Sequence, residues 1–267
     1  MKILSSPGAF IRESSFVCVA IAWLSGILAT PGLARPWADI AKDGRLRVAV
    51  KDNLPLLGFR NEAGELVGFE IDIARELAKE LLGNSNAVEL IPVTNIERLE
   101  SVVLDEVDVA IAQLTLTADR SRLVDFSSPY YFDGAAIAMP RDQAPASALQ
   151  LSTERVAVLT RSSAIGVLQA VLPDLELVEV TSYQEGAELV LAGDVAGMAG
   201  DISVLTGWAL EEPGISVLSP KLSGAGLAIA MPRGVETSDL RRRIHQQMNV
   251  WKDSGWLDKR AAEWGLP

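Results

Sequence analysis

The hexapeptide AIAMPR occurs twice, at 136–141 and 228–233, each time with glycine a short way upstream (Gly134; Gly224 and Gly226). Two small apolar strands can coincide over six residues by chance. The alternative is structural: a pseudo-twofold pair of strands, each carrying the chain from one lobe into the sheet of the other. The segments around the two copies favour the second account.

Leu46–Val50 (LRVAV) has strand character. In Phe69–Leu82, Ile73, Leu77 and Leu81 recur every four residues, one face of an amphipathic helix that Gly83 ends. Ala87–Pro92 follows as a strand, Glu97–Leu104 as a short helix and Val107–Ala112 (VDVAIA) as a buried strand. The same grammar restarts with the strand Arg155–Leu159, the helix Ala164–Leu172, the strand Glu176–Val180, the helix Ser182–Ala192 and the strand Ala196–Gly200. This alternation predicts an α/β fold. Two βαβαβ units in succession predict two lobes of similar construction. The AIAMPR copies flank the second unit, where two crossings between lobes must lie. Gln143–Thr153 lacks periodicity and is expected as a surface connection. Ser238–Lys252 sets Leu240, Ile244, Met248 and Trp251 on one helical face, with Trp256 and Trp264 beyond; these are packing residues, and the sole histidine, His245, neighbours them.

Residues 1–34 resemble a signal peptide. Lys2 and Arg12 supply positive charge, Ser15–Ala29 is an apolar run shorter than the roughly 20 residues of a transmembrane span, and Gly32-Leu33-Ala34 offers a cleavage site. Cys18, the only cysteine, lies inside that run, so a chain cleaved after Ala34 has no thiol. An uncleaved anchor is the competing reading. The net charge is −11, and past the leader the one basic tract is Arg241–Arg243 on a helix, a poor basis for contact with nucleic acid or anionic membranes.

Catalytic apparatus is hard to assemble from this sequence. A Ser/His/Asp triad has only His245 to use, and GxSxG, Walker A, GxGxxG after a strand and HExxH are all missing. No metal or cofactor is implied. The stretch Val107–Tyr131 carries more information. A buried strand ends at Gln113-Leu114-Thr115, and Thr117 is placed to cap a short helix opening Ala118-Asp119-Arg120. An arginine in a first helical turn runs against the helix dipole. It is either a surface residue paired with Asp119 or Asp125, or a bidentate carboxylate fork at a strand's carboxyl end, where open α/β sheets bind ligands.

Three blocks carry a resemblance. They are Gly68-Phe69-Glu70-Ile71-Asp72-Ile73-Ala74, then Thr117-Ala118-Asp119-Arg120 with Asp125-Phe126-Ser127-Ser128-Pro129-Tyr130, and lastly Gly193–Asp201. In this order they are similar to the signatures of the bacterial extracellular solute-binding proteins of family 3, the polar amino-acid receptors of ABC uptake systems. The resemblance implies the two-lobed periplasmic-binding-protein fold (type II), each lobe a mixed five-stranded sheet flanked by helices. It implies a first lobe from residues 35–132 and 224–267 and a second from 133–223. It implies a non-catalytic, monomeric, periplasmic receptor that closes on a free amino acid and docks on an ABC-type permease.

The resemblance also places the ligand. Arg120 falls on the arginine that binds the α-carboxylate and Asp201 on the aspartate that binds the α-ammonium. Gln113 and Thr115 complete the ammonium site through backbone groups and the threonine hydroxyl. The turn Arg161-Ser162-Ser163 adds donors to the carboxylate, with Ser163 as helix N-cap; glycine is usual in the family where Arg161 stands. Arg98 occupies the position that in acidic-amino-acid members meets the distal carboxylate, and Lys51 adds to that pole. Competing assignments pair Lys51 with Asp52 and leave Arg98 on a solvated face. Glutamate or aspartate is expected first, glutamine or asparagine next. Rival functions on the same fold are a prephenate or arogenate dehydratase and a receptor for a signalling partner.

Overall fold

Two five-stranded sheets organise the chain in a computed structural model that describes residues 34–145, 147–151, 153–219 and 221–267. The expected signal peptide, apart from Ala34, lies outside the described residues. Among these, no helix is long and apolar enough to cross a membrane.

The first sheet comprises β1 (Leu46–Val50), β2 (Val88–Pro92), β3 (Val109–Ile111), β4 (Asp125–Phe126) and, far along the chain, Ala230–Met231. The second comprises β5 (Ala135–Pro140), β6 (Arg155–Leu159), β7 (Glu176–Val180), β8 (Gly197–Asp201) and β9 (Ile215–Val217), which leaves Ala230–Met231 as β10. Their orders correspond: β2-β1-β3-β10-β4 and β7-β6-β8-β5-β9. In each, the βαβαβ unit supplies three parallel strands, and an AIAMPR copy supplies the antiparallel fourth, Ala230 facing Ala110 and Ala136 facing Gly200. The pseudo-twofold account of the repeat therefore holds. Just before each copy, the strands Tyr131–Asp133 and Ala225–Leu227 pair antiparallel with each other, so the two crossings run side by side.

The amphipathic faces pack as their periodicity requires. Ile73 and Leu77 share one buried cluster with Ile111, Leu240, Ile244, Met248 and Trp251. The segment expected as a surface connection differs in part: it forms a 3-10 turn, Ala148–Leu151, whose Ala148 and Leu151 are buried in the second lobe. Sequence periodicity gave no sign of the helix Ile202–Glu211 (ISVLTGWALE). Its apolar residues are not confined to one face, and Ile, Val, Thr and Gly are indifferent helix formers.

One junction fixes how the first lobe meets the site. Gly68 precedes the helix Phe69–Leu82 at φ 131°, and a Cβ there would lie 2.2 Å from the Leu57 carbonyl oxygen. The amides of Phe69 and Glu70 donate to the carbonyls of Leu56 and Leu57, both at 2.9 Å, so the loop after β1 holds the start of the helix. Gly68→Ala is expected to destabilise the protein by about 2 kcal/mol or more through strain at a backbone angle closed to alanine. A lowered urea midpoint at unchanged m-value is the signature.

Candidate functional site

The carboxyl end of β3 runs into Gln113, Leu114 and Thr115, and β8 ends at Asp201. These two strand ends meet. Gln113 Nε2 donates to Asp201 Oδ2 at 2.6 Å, and Ser163 Oγ donates to Thr115 Oγ1 at 3.0 Å.

Gln113 has φ 53°, unusual for a residue with a side chain. Its neighbours hold it there from both sides. Its amide donates to Glu70 Oε1 at 2.7 Å, while its carbonyl accepts from Arg98 Nη1 at 2.5 Å. Arg98 also donates to the carbonyls of Ala112 and Asn95. Glu70 is fully buried and accepts a second bond, from the Tyr130 hydroxyl, at 2.5 Å. Burial raises its pKa, with the bonds from Tyr130 and Gln113 opposing.

Arg120 does not pair with a neighbouring carboxylate. Asp119 is bridged to Arg122 at 2.9 Å and Asp125 to Arg241 at 3.0 Å. Thr117 Oγ1 accepts from the Arg120 amide at 3.3 Å, and the helix expected there is a single 3-10 turn, Arg120–Arg122. The guanidinium folds inward. Nη1 donates to the Thr115 carbonyl at 3.0 Å, and Nη2 crosses to the Arg161 carbonyl of the second lobe at 3.1 Å. Burial, then Arg98, lowers its pKa to about 10, which leaves it charged at neutral pH. Opposite it, Asp201 is 7% exposed. Burial first and then Asp133 raise the Asp201 pKa, while Arg98, Arg120 and the Gln113 bond oppose.

The turn from the second lobe differs in detail from expectation. Ser163 stands at the N-cap of Ala164–Val171, but its hydroxyl makes no cap bond and reaches Thr115 instead. Ser162 Oγ accepts from the Ala164 amide at 3.2 Å and does the capping work. Arg161 adopts φ 60°, the conformation for which glycine is suited, and its Nη1 bridges to Glu100 of the first lobe at 2.6 Å.

Lys51 and Arg98 make different hydrogen bonds. Lys51 Nζ donates to the Val93 carbonyl at 2.7 Å and lines a cavity of about 90 Å³ with Asn53, Thr94, Asn95, Gln113 and Thr181. Its expected competitor, Asp52, is bridged to Arg60. Burial, then Arg98, lowers the Lys51 pKa to about 8. Arg98 is 4% exposed, not on a solvated face, and is absent from that cavity's lining. Arg98 Nε and Nη1 donate to main-chain carbonyls that shape the Gln113 turn.

Four residues escaped sequence reasoning as site components. Glu70 was visible only as part of a motif, although its spacing from Ile73 and Leu77 puts it on the buried helical face. Tyr130 supports Glu70, and the Tyr183 hydroxyl lies 3.5 Å from Gln113 Nε2. Asp133, fully buried, accepts from the Gly134 amide at 2.9 Å, from the Ser203 amide at 3.2 Å and from the Ser203 hydroxyl. It ties a crossing strand to the helix that begins after Asp201.

The model of the bacterial extracellular solute-binding proteins, family 3, matches residues 46–267. A glutamine-binding protein of Geobacillus stearothermophilus is 34% identical over 187 residues, covering 69% of this chain and 71% of the relative. Among solved structures, the solute receptor for L-cysteine of Neisseria gonorrhoeae superposes with a TM-score of 0.79 at 26% identity, covering 85% of this chain and 92% of that one. An ancestral arginine-binding protein bound to arginine gives 0.74 at 29% identity, covering 83% and 98%.

Glu70→Ala would leave the Gln113 amide and the Tyr130 hydroxyl without their acceptor, a loss of about 2–4 kcal/mol at the usual cost of orphaned buried donors. Glu70→Gln keeps an acceptor oxygen and is expected to lose less than half of that in urea denaturation.

Proposed function

The chain belongs to the bacterial extracellular solute-binding proteins, family 3, and we propose that it is an exported receptor for a free α-amino acid, delivered to an ABC-type permease. The observation that carries this reading is the convergence of a half-buried cation and a buried anion, Arg120 and Asp201, from opposite lobes. A zwitterion needs both, and it needs them paired once water is excluded. The carboxylate goes to Arg120, with Ser162 and Ser163 as further donors, while Thr115 stays with the ammonium end. The ammonium goes to Asp201, with acceptors at the Gln113 turn. Because the two charges sit on different lobes, binding and closure become one event.

The relatives' names speak of glutamine, cysteine and arginine, so the grip on the backbone charges is compatible with many side chains. The side chain is read elsewhere. In this chain Lys51 brings a cation to the cavity beside Thr94, Asn95 and Thr181 and donates there to a carbonyl. That favours an acidic side chain, glutamate or aspartate before the amides. Arg98 acts at one remove, by holding the turn. The reaction is capture and release; no residue is assigned a catalytic role.

Calorimetry against the twenty amino acids tests the reading, and it fails if none binds. Arg120→Ala and Asp201→Ala each strand one ligand charge in the closed cleft, at a cost of about 3–5 kcal/mol, or more than a hundredfold in Kd. The pH dependence has a definite sign. The ammonium binds the ionised form of Asp201, whose pKa is raised before the ligand arrives, so binding releases protons and affinity falls as pH drops below neutrality. At the other end of the range, Lys51 must be protonated to favour a carboxylate. Affinity for glutamate should fall as pH rises through about 8 while affinity for glutamine stays level, and Lys51→Met should abolish the difference.

A further inference from the structure

We propose that Gly207 sets how far the lobes close, because it is the one position on the helix Ile202–Glu211 where the first lobe's backbone lies against bare main chain. The proposal rests on the closure reading above but concerns a residue remote from the ligand's charges.

Glycine in the interior of a ten-residue helix is out of place by local propensity, since alanine is the better helix former there. Tertiary structure supplies the reason. A Cβ on Gly207 would lie 3.0 Å from Pro55 Cβ and 3.1 Å from the Pro55 carbonyl oxygen, closer than ordinary contact. Pro55 belongs to the loop after β1 in the first lobe, whereas the helix belongs to the second. One turn earlier on the same helix, Val204 is 2% exposed and shares the buried cluster of Leu54 and Leu57 from that same loop. The loop has little room to give. Leu56 is already at φ 69°, and the carbonyls of Leu56 and Leu57 hold the start of the helix Phe69–Leu82.

The same helix starts directly after Asp201, with its second residue tied to Asp133 through Ser203. An ammonium drawn to Asp201 and a helix drawn onto Pro55 are therefore two ends of one rigid element. Any side chain at 207 acts as a spacer between the lobes. The first atoms it meets are those of Pro55 in the first lobe, so it obstructs the closed arrangement.

The test is the size series Gly207→Ala, Gly207→Leu and Gly207→Met, compared with wild type by calorimetry, thermal unfolding and small-angle X-ray scattering. Ligand-free Tm is expected to hold or rise, most clearly for alanine. Kd for the amino acid that the wild type binds is expected to weaken with side-chain size, by roughly tenfold or more for leucine and methionine. At saturating ligand, the radius of gyration of those two should stay above the wild-type value. Wild-type affinity and compaction in the Leu and Met variants would overturn the proposal, as would losses of affinity that track a lowered ligand-free Tm. Should the wild type bind none of the twenty amino acids, the functional reading fails, and scattering of ligand-free protein decides Gly207 separately. A compact wild type with expanded variants supports the spacer role; equal dimensions across the series sink it.

Discussion

The turn at Gln113 is the constraint on which the site depends. Its amide is held by Glu70 and its carbonyl by Arg98, two buried side chains on opposite sides of the same residue. Neither grip is free. A left-handed residue with a side chain carries strain, and burying both polar side chains costs solvation that their hydrogen bonds restore. The return is a fixed strand end. From it Thr115 presents the carbonyl that orients Arg120, and Gln113 sends its amide across to Asp201. Loosening the turn would move the cationic fork and the approach to the anion together.

Charge is arranged so that neither half of the site satisfies itself. Arg120 lies between main-chain carbonyls from both lobes and, among the described residues, bridges to no carboxylate, while Asp119 and Asp125 on either side of it are neutralised by other arginines. Asp201 receives a neutral amide and no direct cation. The arginine donates to carbonyls and the carboxylate facing it accepts from an amide, so the proposed zwitterion would meet an opposite charge at each end. Exposed interlobe pairs such as Arg161–Glu100 contribute little by comparison, because water and salt screen them.

What was legible in the sequence follows from which interactions are local. The helix Phe69–Leu82 and the C-terminal helix announce themselves by apolar spacing, and the repeated AIAMPR reveals a twofold relation that the sheets then display strand for strand. Arg120 could be singled out because an arginine is awkward where it stands. Gln113 could not be seen as a strained turn, nor Glu70 as its support, because their meeting joins residues far apart in the chain. Arg98 illustrates the same limit from the other side. Position in a motif pointed to a ligand's distal charge and gave no sign of the main-chain carbonyls that Nε and Nη1 reach. Ser162 and Ser163 exchange roles for a similar reason: which hydroxyl caps the helix depends on whether Thr115 of the other lobe is within reach.

Two departures from local preference remain, and they point the same way. Arg161 carries a side chain where backbone conformation favours glycine, and Gly207 lacks one where helix propensity favours alanine. Each costs the isolated lobe something, and each is explained only by the other lobe. The Arg161 carbonyl receives Arg120 and its guanidinium reaches Glu100, while the bare backbone of Gly207 admits Pro55. A sequence optimised for two independently stable lobes would reverse both choices. Both choices fall where the two lobes touch, so the contact between lobes and not the stability of either one accounts for them.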